Sequence, residues 1–177
     1  MTRQASSALL QDGTLEGIWD LDPHRSSIGF TTRTLWGLVT VRGVFGQMTG
    51  GGAVETDGRV HGTLTVKAAS IDTKNPRRDN HLRSADFLDS DHHPDITFAV
   101  EAARPAAAGI IVTGSLSVRG RPRPLSLAAL PHLADDAQLI LDAEVQIDRG
   151  EFGLTWGKRL GAGMSNTVTI HAVFTRR

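Results

Sequence analysis

Apolar and polar residues alternate with a period of two along most of this chain, and this pattern limits the folds open to it. In residues 60–67, VHGTLTVK, the even positions are apolar or glycine and the odd positions are polar. The same alternation recurs over residues 110–119, 138–148 and 168–174. Strands with one apolar and one polar face are typical of antiparallel sheets. The chain is therefore predicted to be all-β and antiparallel, with about eight strands.

Segments rich in glycine and proline separate these strands and are predicted to be turns or loops. They are residues 50–52 (GGG), 57–58 (DG), 121–124 (RPRP) and 148–150 (DRG). None of the intervals contains the long helix that a parallel crossover requires. The pattern alone leaves two architectures open, a closed barrel and a sandwich of two sheets.

The predicted inner face of the sheet carries several small residues. A barrel of about eight strands has an interior that holds its own side chains or one small ligand. If the sheet closes, we expect an underfilled apolar lumen, whereas a sandwich would leave no void. The small inner residues are Gly62, Gly114, Ala129, Ala143 and Ala172.

Charge and composition exclude several classes of function. Nineteen basic residues balance nineteen acidic residues, so the net charge gives no argument for binding nucleic acid. Cysteine is absent, which excludes disulfides and cysteine-based metal sites. The N-terminal residues lack the apolar stretch of a signal peptide, and no run reaches the ~18 apolar residues of a membrane span. We therefore predict a cytoplasmic chain without stable membrane insertion.

The length of 177 residues fits one domain. Residues 1–15 are small and polar, which predicts a flexible N-terminal tail. Residues 16–177 are predicted to form the β-domain.

One stretch interrupts the strand pattern. Residues 77–87, RRDNHLRSADF, contain three arginines, a histidine and two aspartates. Asn75 is a good N-cap, and Pro76 suits the first helical position. Pro94 prevents the helix from continuing into the next strand. The sequence therefore predicts a short helical insert between two strands, with Leu82, Phe87 and Leu88 as its apolar anchors.

The segment SIDTKNPRRDNHLRSADFLDSDHHPDITF, residues 70–98, resembles the YceI-like family. These proteins are lipocalin-like barrels associated with binding long polyisoprenoid chains. The resemblance extends over about residues 17 to 175 and includes residues 19–30, 41–51, 114–127 and 147–154. It implies an antiparallel eight-stranded lipocalin-like barrel with a short helical insert between two strands.

The resemblance also implies a function. We expect the barrel to bind and sequester, or transport, a long apolar lipid without chemistry: a polyisoprenoid, an isoprenoid quinone or a fatty acyl chain. No cofactor and no metal are expected. Edge strands and a tendency of the family favour a homodimer. The residues predicted to line the cavity are Phe30, Leu64, Phe98, Leu116, Val145 and Phe174, with Trp36 and Phe45 near its mouth.

The resemblance implies that the charged insert packs over the barrel and that its charged side chains pair with one another. Arg78, Asp79, Arg83 and Asp86 are predicted to offset one another's desolvation, with His81 as part of the same motif. Asp72 is expected to hold the corner between the strand and the helix. The alternative is that these charges contact the head group of a ligand directly.

Two other functions stay open at this point. The first is an enzyme that acts on a lipid-like substrate, with His24 or His61 beside a carboxylate. The second is a stress-related interaction module with a filled core. A metal site at residues 89–93 (DSDHH) is disfavoured, because adjacent residues rarely point at one ion.

Overall fold

The structure is a computed structural model, and it describes residues 8–177. Within these residues the chain forms eleven strands and one α-helix, α1. The strands are β1 Gly17–Leu21, β2 Ser27–Thr34, β3 Val39–Phe45, β4 Met48–Val54, β5 Val60–Lys67, β6 Ile71–Asp72, β7 Asp95–Ala106, β8 Gly109–Val118, β9 Arg121–Asp135, β10 Gln138–Asp148 and β11 Ser165–Arg176, and α1 is Pro76–Arg83.

The strands form a closed antiparallel barrel. β1 and β2 are two parts of one strand, because both pair with β11. β3 and β4 are likewise two parts of one strand, since β3 pairs with β2 and β4 pairs with β1. β6 and β5 are two parts of the next strand, since β6 pairs with β3 and β5 pairs with β4. With β7 to β11 this gives eight strands in sequence order, closed by β11. The predicted eight-stranded barrel is confirmed, and the sandwich is excluded.

The two ends of the barrel differ. At the closed end, Leu15, Trp19 and Leu139 form a buried cluster. The Trp19 indole N–H donates to the Leu15 carbonyl oxygen at 2.9 Å, and the Arg176 guanidinium lies 4.6 Å from the centre of the Trp19 ring. The opposite end, called the mouth here, carries the β2–β3 connection, the insert of residues 73–94 and the segment 149–164.

The N-terminal boundary of the packed chain lies earlier than residue 16. Residues 1–7 of the predicted flexible tail lie outside the described residues. Leu15 is 2% exposed, and Leu9 and Leu10 pack against the same closed-end cluster. This segment therefore contributes to the plug that closes the barrel.

The prediction of a turn or loop at residues 50–52 is wrong. These residues lie inside β4. The neighbouring strands β1 and β5 approach their backbone closely. A Cβ atom on Gly51 would lie 2.8 Å from the Trp19 carbonyl oxygen, and one on Gly52 would lie 2.5 Å from that of His61. Glycine is required here by close strand contact, and not by a turn.

Residues 121–124 are also not a turn, because they begin β9. Val118 pairs with Arg121, so the hairpin loop is the two residues Arg119 and Gly120. Their φ angles are 51° and 68°, as a type I′ hairpin turn requires. The turn signal of the prolines is therefore displaced by two residues from the true turn.

Helix α1 begins as predicted. The Asn75 side-chain oxygen accepts a hydrogen bond from the Arg78 backbone N–H at 3.1 Å, and Pro76 follows as the first helical residue. After Arg83 the Ser84 hydroxyl donates to the His81 carbonyl at 2.6 Å, which closes the last turn. In residues 8–177 no helix has both the length and the apolar character needed to cross a bilayer.

Candidate ligand-binding cavity

A cavity of about 740 Å³ lies inside the barrel and reaches the mouth. Small-molecule pockets typically measure about 300 to 1,000 Å³. Because side chains alternate between the two faces of each strand, every second residue of the wall points inward. The strand residues of the wall are almost entirely aliphatic or aromatic: Ile28, Phe30, Val41, Phe45, Leu64, Val66, Ile96, Phe98, Leu116, Val118, Leu125, Leu127, Val145, Ile147, Val168 and Ile170.

Trp36 and Phe174 lie outside the cavity wall, unlike the other predicted lining residues. Trp36 is 79% exposed on the β2–β3 connection. Phe174 packs against the closed-end cluster, because β11 has reached the plugged end of the barrel at this residue. That the lining residues bind a ligand stays a prediction. Those that the structure places in the wall are Phe30, Phe45, Leu64, Phe98, Leu116 and Val145.

The small residues of the inner face do not create the cavity. None of Gly62, Gly114, Ala129, Ala143 and Ala172 is among the described residues that line it. Ala129, for example, is 2% exposed in a cluster with Ile110 and Leu127. The void lies nearer the mouth, where the insert covers the barrel without filling it.

Aromatic side chains connect the insert to the segment 149–164 across the mouth. The His81 and Trp156 rings meet edge to face with centroids 4.3 Å apart. Phe87 lies 5.3 Å from Trp156, and the Arg149 guanidinium lies 5.2 Å from the centre of the Phe87 ring. All four side chains line the cavity, so the mouth is both aromatic and positively charged.

Arg149 holds the segment 149–164 in place. Its guanidinium donates to the carbonyl oxygens of Leu154 at 2.7 Å, Trp156 at 2.8 Å and Gly163 at 2.8 Å. Burial lowers the pKa of this guanidinium, while the Asp148 carboxylate acts in the opposite direction. Sequence reasoning gave Arg149 no role of its own.

The insert arginines bind backbone carbonyls, and the predicted network of mutually neutralising charges is wrong. Arg78 donates to the Thr73 hydroxyl at 2.8 Å and to the Thr73 carbonyl at 2.9 Å. Arg83 donates to the carbonyls of Ala69 and Ile71, both at 2.8 Å. Arg83 thus fastens the insert to the segment before it, and Arg78 fastens α1 to the first residue of the insert.

The three aspartates of the motif have different roles. Asp79 is 5% exposed, and its carboxylate accepts hydrogen bonds from both the backbone N–H and the hydroxyl of Thr73. Asp72 accepts from the ammonium and the backbone N–H of Lys74, and these hydrogen bonds lower the pKa of Asp72. That Asp72 holds the corner between the strand and the helix stays a prediction. Asp86 is largely exposed and pairs with His81 at 3.1 Å.

We expect Asp79→Ala to lower the free energy of unfolding by about 2–4 kcal/mol, because it leaves two buried Thr73 donors without an acceptor. The matched control is Asp86→Ala, whose exposed ion pair should contribute within about 1 kcal/mol. Urea denaturation of both variants measures the difference. Equal losses at the two positions would show that Asp79 does not fasten the insert.

The family model described as YceI-like domain matches residues 19–175. The chain belongs to the YceI-like family. Protein YceI of Escherichia coli is 36% identical over 66 residues, which cover 37% of this chain and 35% of that protein. The match thus spans about a third of the length of that curated relative. A UPF0312 protein of Photorhabdus laumondii is 30% identical over 128 residues, covering 71% of this chain and 64% of that protein.

Three solved structures with TM-scores above 0.6 have the same fold. Burkholderia cenocepacia BcnA has a TM-score of 0.79 at 19% identity, covering 87% of this chain and 99% of that one. A polyisoprenoid binding domain from Saccharophagus degradans has a TM-score of 0.75 at 13% identity, covering 90% and 98%. Campylobacter jejuni YceI protein has a TM-score of 0.67 at 22% identity, covering 79% and 87%.

The histidines considered for catalysis lie outside the cavity of this YceI-like barrel. His24 is exposed on the β1–β2 connection. His61 is 62% exposed and pairs with Glu55 at 2.8 Å on the outer face. Among the described residues that line the cavity there is no aspartate or glutamate, and the ionisable side chains are Arg77, Arg78, His81 and Arg149.

The acidic and histidine residues after the insert are used in local contacts. The His92 imidazole lies 2.8 Å from the Asp89 carboxylate. This hydrogen bond raises the pKa of His92 and lowers that of Asp89. Within residues 8–177 no group of three or more side chains of the metal-binding types comes together.

Proposed function

We propose that this chain binds a long apolar lipid inside the barrel and sequesters or transports it without chemical change. The candidates are a polyisoprenoid, an isoprenoid quinone and a fatty acyl chain. The observation that carries this proposal is the continuous apolar wall of a cavity of about 740 Å³. Transfer of each CH₂ group out of water contributes about 0.8 kcal/mol, so an extended chain needs few polar contacts to bind tightly.

The polar residues of the cavity favour one orientation of the lipid. Arg77, Arg78 and His81 line the mouth, whereas Ile28 and Ile170 line the middle of the barrel. A charged or polar head group would lose its hydration in the apolar depth of the cavity. The lipid is therefore proposed to enter with its tail first and to leave its head group beside the insert.

The comparison structures support this class of ligand. The domain from Saccharophagus degradans that has the same fold is a polyisoprenoid binding domain. The cavity itself counts against an interaction module with a filled core. An enzyme would need two titratable groups that converge inside the pocket. The ionisable side chains of the described wall are arginines and one histidine. The carboxylate paired with His81, that of Asp86, is largely exposed and does not line the cavity, which favours a carrier.

A series of prenyl alcohols of increasing length tests the proposal. We expect the melting temperature to rise from prenol to farnesol to solanesol at equal concentration, because the stabilisation by a ligand that binds only the folded state increases with its affinity. Each added apolar unit should strengthen binding until the cavity is full. Differential scanning fluorimetry measures the shift, with prenol as the short control that shares the hydroxyl head. A melting temperature independent of chain length would contradict the proposal.

The remaining sequence-based predictions stay predictions. They are the cytoplasmic location, the homodimer, and the absence of nucleic acid binding and of stable membrane insertion. Cell fractionation and light scattering on the purified chain measure the first two.

A further inference from the structure

Large apolar side chains are exposed together at the mouth of the barrel. They belong to the β2–β3 connection and to the segment 149–164, which touch where the Trp36 backbone N–H donates to the Gly161 carbonyl at 3.2 Å. Trp36 is 79% exposed and Leu38 is 86% exposed. We call this set the rim patch; its members are Leu35, Trp36, Leu38, Trp156 and Leu160.

The backbone holds part of the rim patch outward at a cost. Leu35 and Trp36 have φ angles of 49° and 54°, in the left-handed region that bulky residues rarely adopt. Asn-Gly or Asp-Gly would make a hairpin turn here without that strain. Strain of this kind at an exposed apolar turn points to a function for the side chains that it presents.

The rim patch lies on the basic side of a chain with no net charge. Residues 30–54 and 152–177 contain no aspartate or glutamate, and they carry Arg33, Lys158 and Arg159 beside the patch. Acidic residues occupy the turns of the closed end, at residues 55–57 and 135–136. The β2–β3 connection and residues 152–164, which carry the rim patch, therefore have basic and no acidic residues.

The mouth also has acidic residues, on the insert and at residues 148–151. Asp86 lies near the Trp156 end of the rim patch, because it pairs with His81, whose ring meets that of Trp156. Asp86 and Asp91 belong to the C-terminal half of the insert, which leads to β7. Asp148 accepts from the Gly150 backbone N–H, and Glu151 is exposed in the turn that follows. The side of the mouth formed by β2, β3 and the start of β11 is thus basic and apolar.

We propose that the rim patch docks the mouth of the barrel on an anionic lipid surface. Tryptophan and leucine insert favourably at the boundary between head groups and acyl chains. Arginine and lysine beside them attract anionic head groups. The cavity mouth would then face the bilayer, so that a lipid enters without crossing water. This purpose rests on the proposed lipid-binding function, whereas the docking itself does not.

The basic residues beside the rim patch argue against a second copy of the chain as the partner of this patch. Two copies joined through this patch would bring Arg33, Lys158 and Arg159 of one near those of the other. Like charges juxtaposed across an interface disfavour association. An anionic surface meets the same groups with opposite charge, which is why we choose it over self-association.

Flotation of the full chain with lipid vesicles tests the proposal. We expect binding to phosphatidylcholine vesicles that contain phosphatidylglycerol, weaker binding to pure phosphatidylcholine, and release at high salt because salt screens exposed charges. Leu38→Asp should weaken binding about tenfold or more, since it replaces an inserted leucine with a charge. The matched control is Leu130→Asp, because Leu130 is 55% exposed on the barrel wall away from the mouth.

Tryptophan fluorescence identifies the face that meets the vesicle. Brominated lipid should quench Trp36 and Trp156, while Trp19 stays unquenched because it is only 3% exposed. Trp36→Phe should lower the quenching, and the double variant with Trp156→Phe should remove it. The proposal is overturned if no vesicle binding occurs, if Leu38→Asp and Leu130→Asp bind equally, or if Leu38→Asp only converts a dimer to a monomer. Vesicle binding does not require an occupied cavity, so a failure here leaves the prenyl alcohol series unaffected.

Discussion

Replacing Val145 with tryptophan is expected to abolish lipid binding while the barrel stays folded. The Val145 side chain points into the cavity from β10. An indole in its place would occupy the path of an extended chain and would itself gain burial. The cavity of about 740 Å³ has room for the larger side chain, so the gain in buried apolar area offsets the lost hydration of the single indole N–H. The melting temperature without ligand should therefore be unchanged or higher.

The matched control for this variant is one residue away on the same strand. Glu144 is exposed on the outer face of β10, so Glu144→Trp adds the same side chain outside the cavity. We expect the apparent affinity for farnesol to fall about tenfold or more in Val145→Trp and to stay at the wild-type value in Glu144→Trp. Scanning fluorimetry with a ligand titration measures both. Wild-type affinity in the Val145 variant would place the ligand elsewhere.

Arg149→Met is expected to destabilise the protein by about 3–5 kcal/mol, because it removes every hydrogen bond from a buried guanidinium to three carbonyls. Those carbonyls belong to Leu154, Trp156 and Gly163. Methionine keeps an apolar contact with Phe87 but supplies no donor. The segment 149–164 should loosen at the mouth, and amide hydrogen exchange in it should become faster. Urea denaturation measures the change in the free energy of unfolding.

Arg159→Met is the control, since Arg159 lies in the same segment and is exposed. Exposed substitutions of this kind usually change stability by less than about 0.5 kcal/mol. A similar loss for both variants would mean that the charge of the segment matters, and not the three carbonyl contacts of Arg149. Faster exchange confined to residues 149–164 in the Arg149 variant would support the fastening role.

Strands were the part of the fold that the sequence pattern predicted best. The alternation over residues 60–67 coincides with β5, Val60–Lys67. Alternation does not distinguish a barrel from a sandwich, because each buries one face of every strand. The deciding contact is the pairing of β1 with β11, such as Trp19 with Arg176, which joins the two ends of the chain. Such a contact has no local signal in the sequence.

The candidate site was predicted in part, for a related reason. The parity of a residue along a strand tells which face it occupies, and this placed Leu64, Phe98 and Val145 correctly in the wall. Parity does not tell how far along the barrel axis a residue lies. Phe174 has the inward parity but packs at the closed end. Trp36 is on a connection, where parity does not apply.

The contacts of the arginines could not be predicted from charge. Asp79 and Arg83 are four residues apart, a spacing that favours an ion pair on a helix. In the structure Arg83 instead binds the carbonyls of Ala69 and Ile71, in the segment before the insert. Every residue carries a carbonyl, so a sequence does not show which carbonyls a fold leaves without a partner.

Native mass spectrometry of the purified chain, followed by extraction and identification of any bound lipid, tests most directly whether the barrel is a lipid carrier. We predict that the wild-type chain and Glu144→Trp retain a long apolar lipid, and that Val145→Trp has the mass of the protein alone. A wild-type chain that carries no lipid after expression, and takes up none from added prenyl alcohols, would contradict the account.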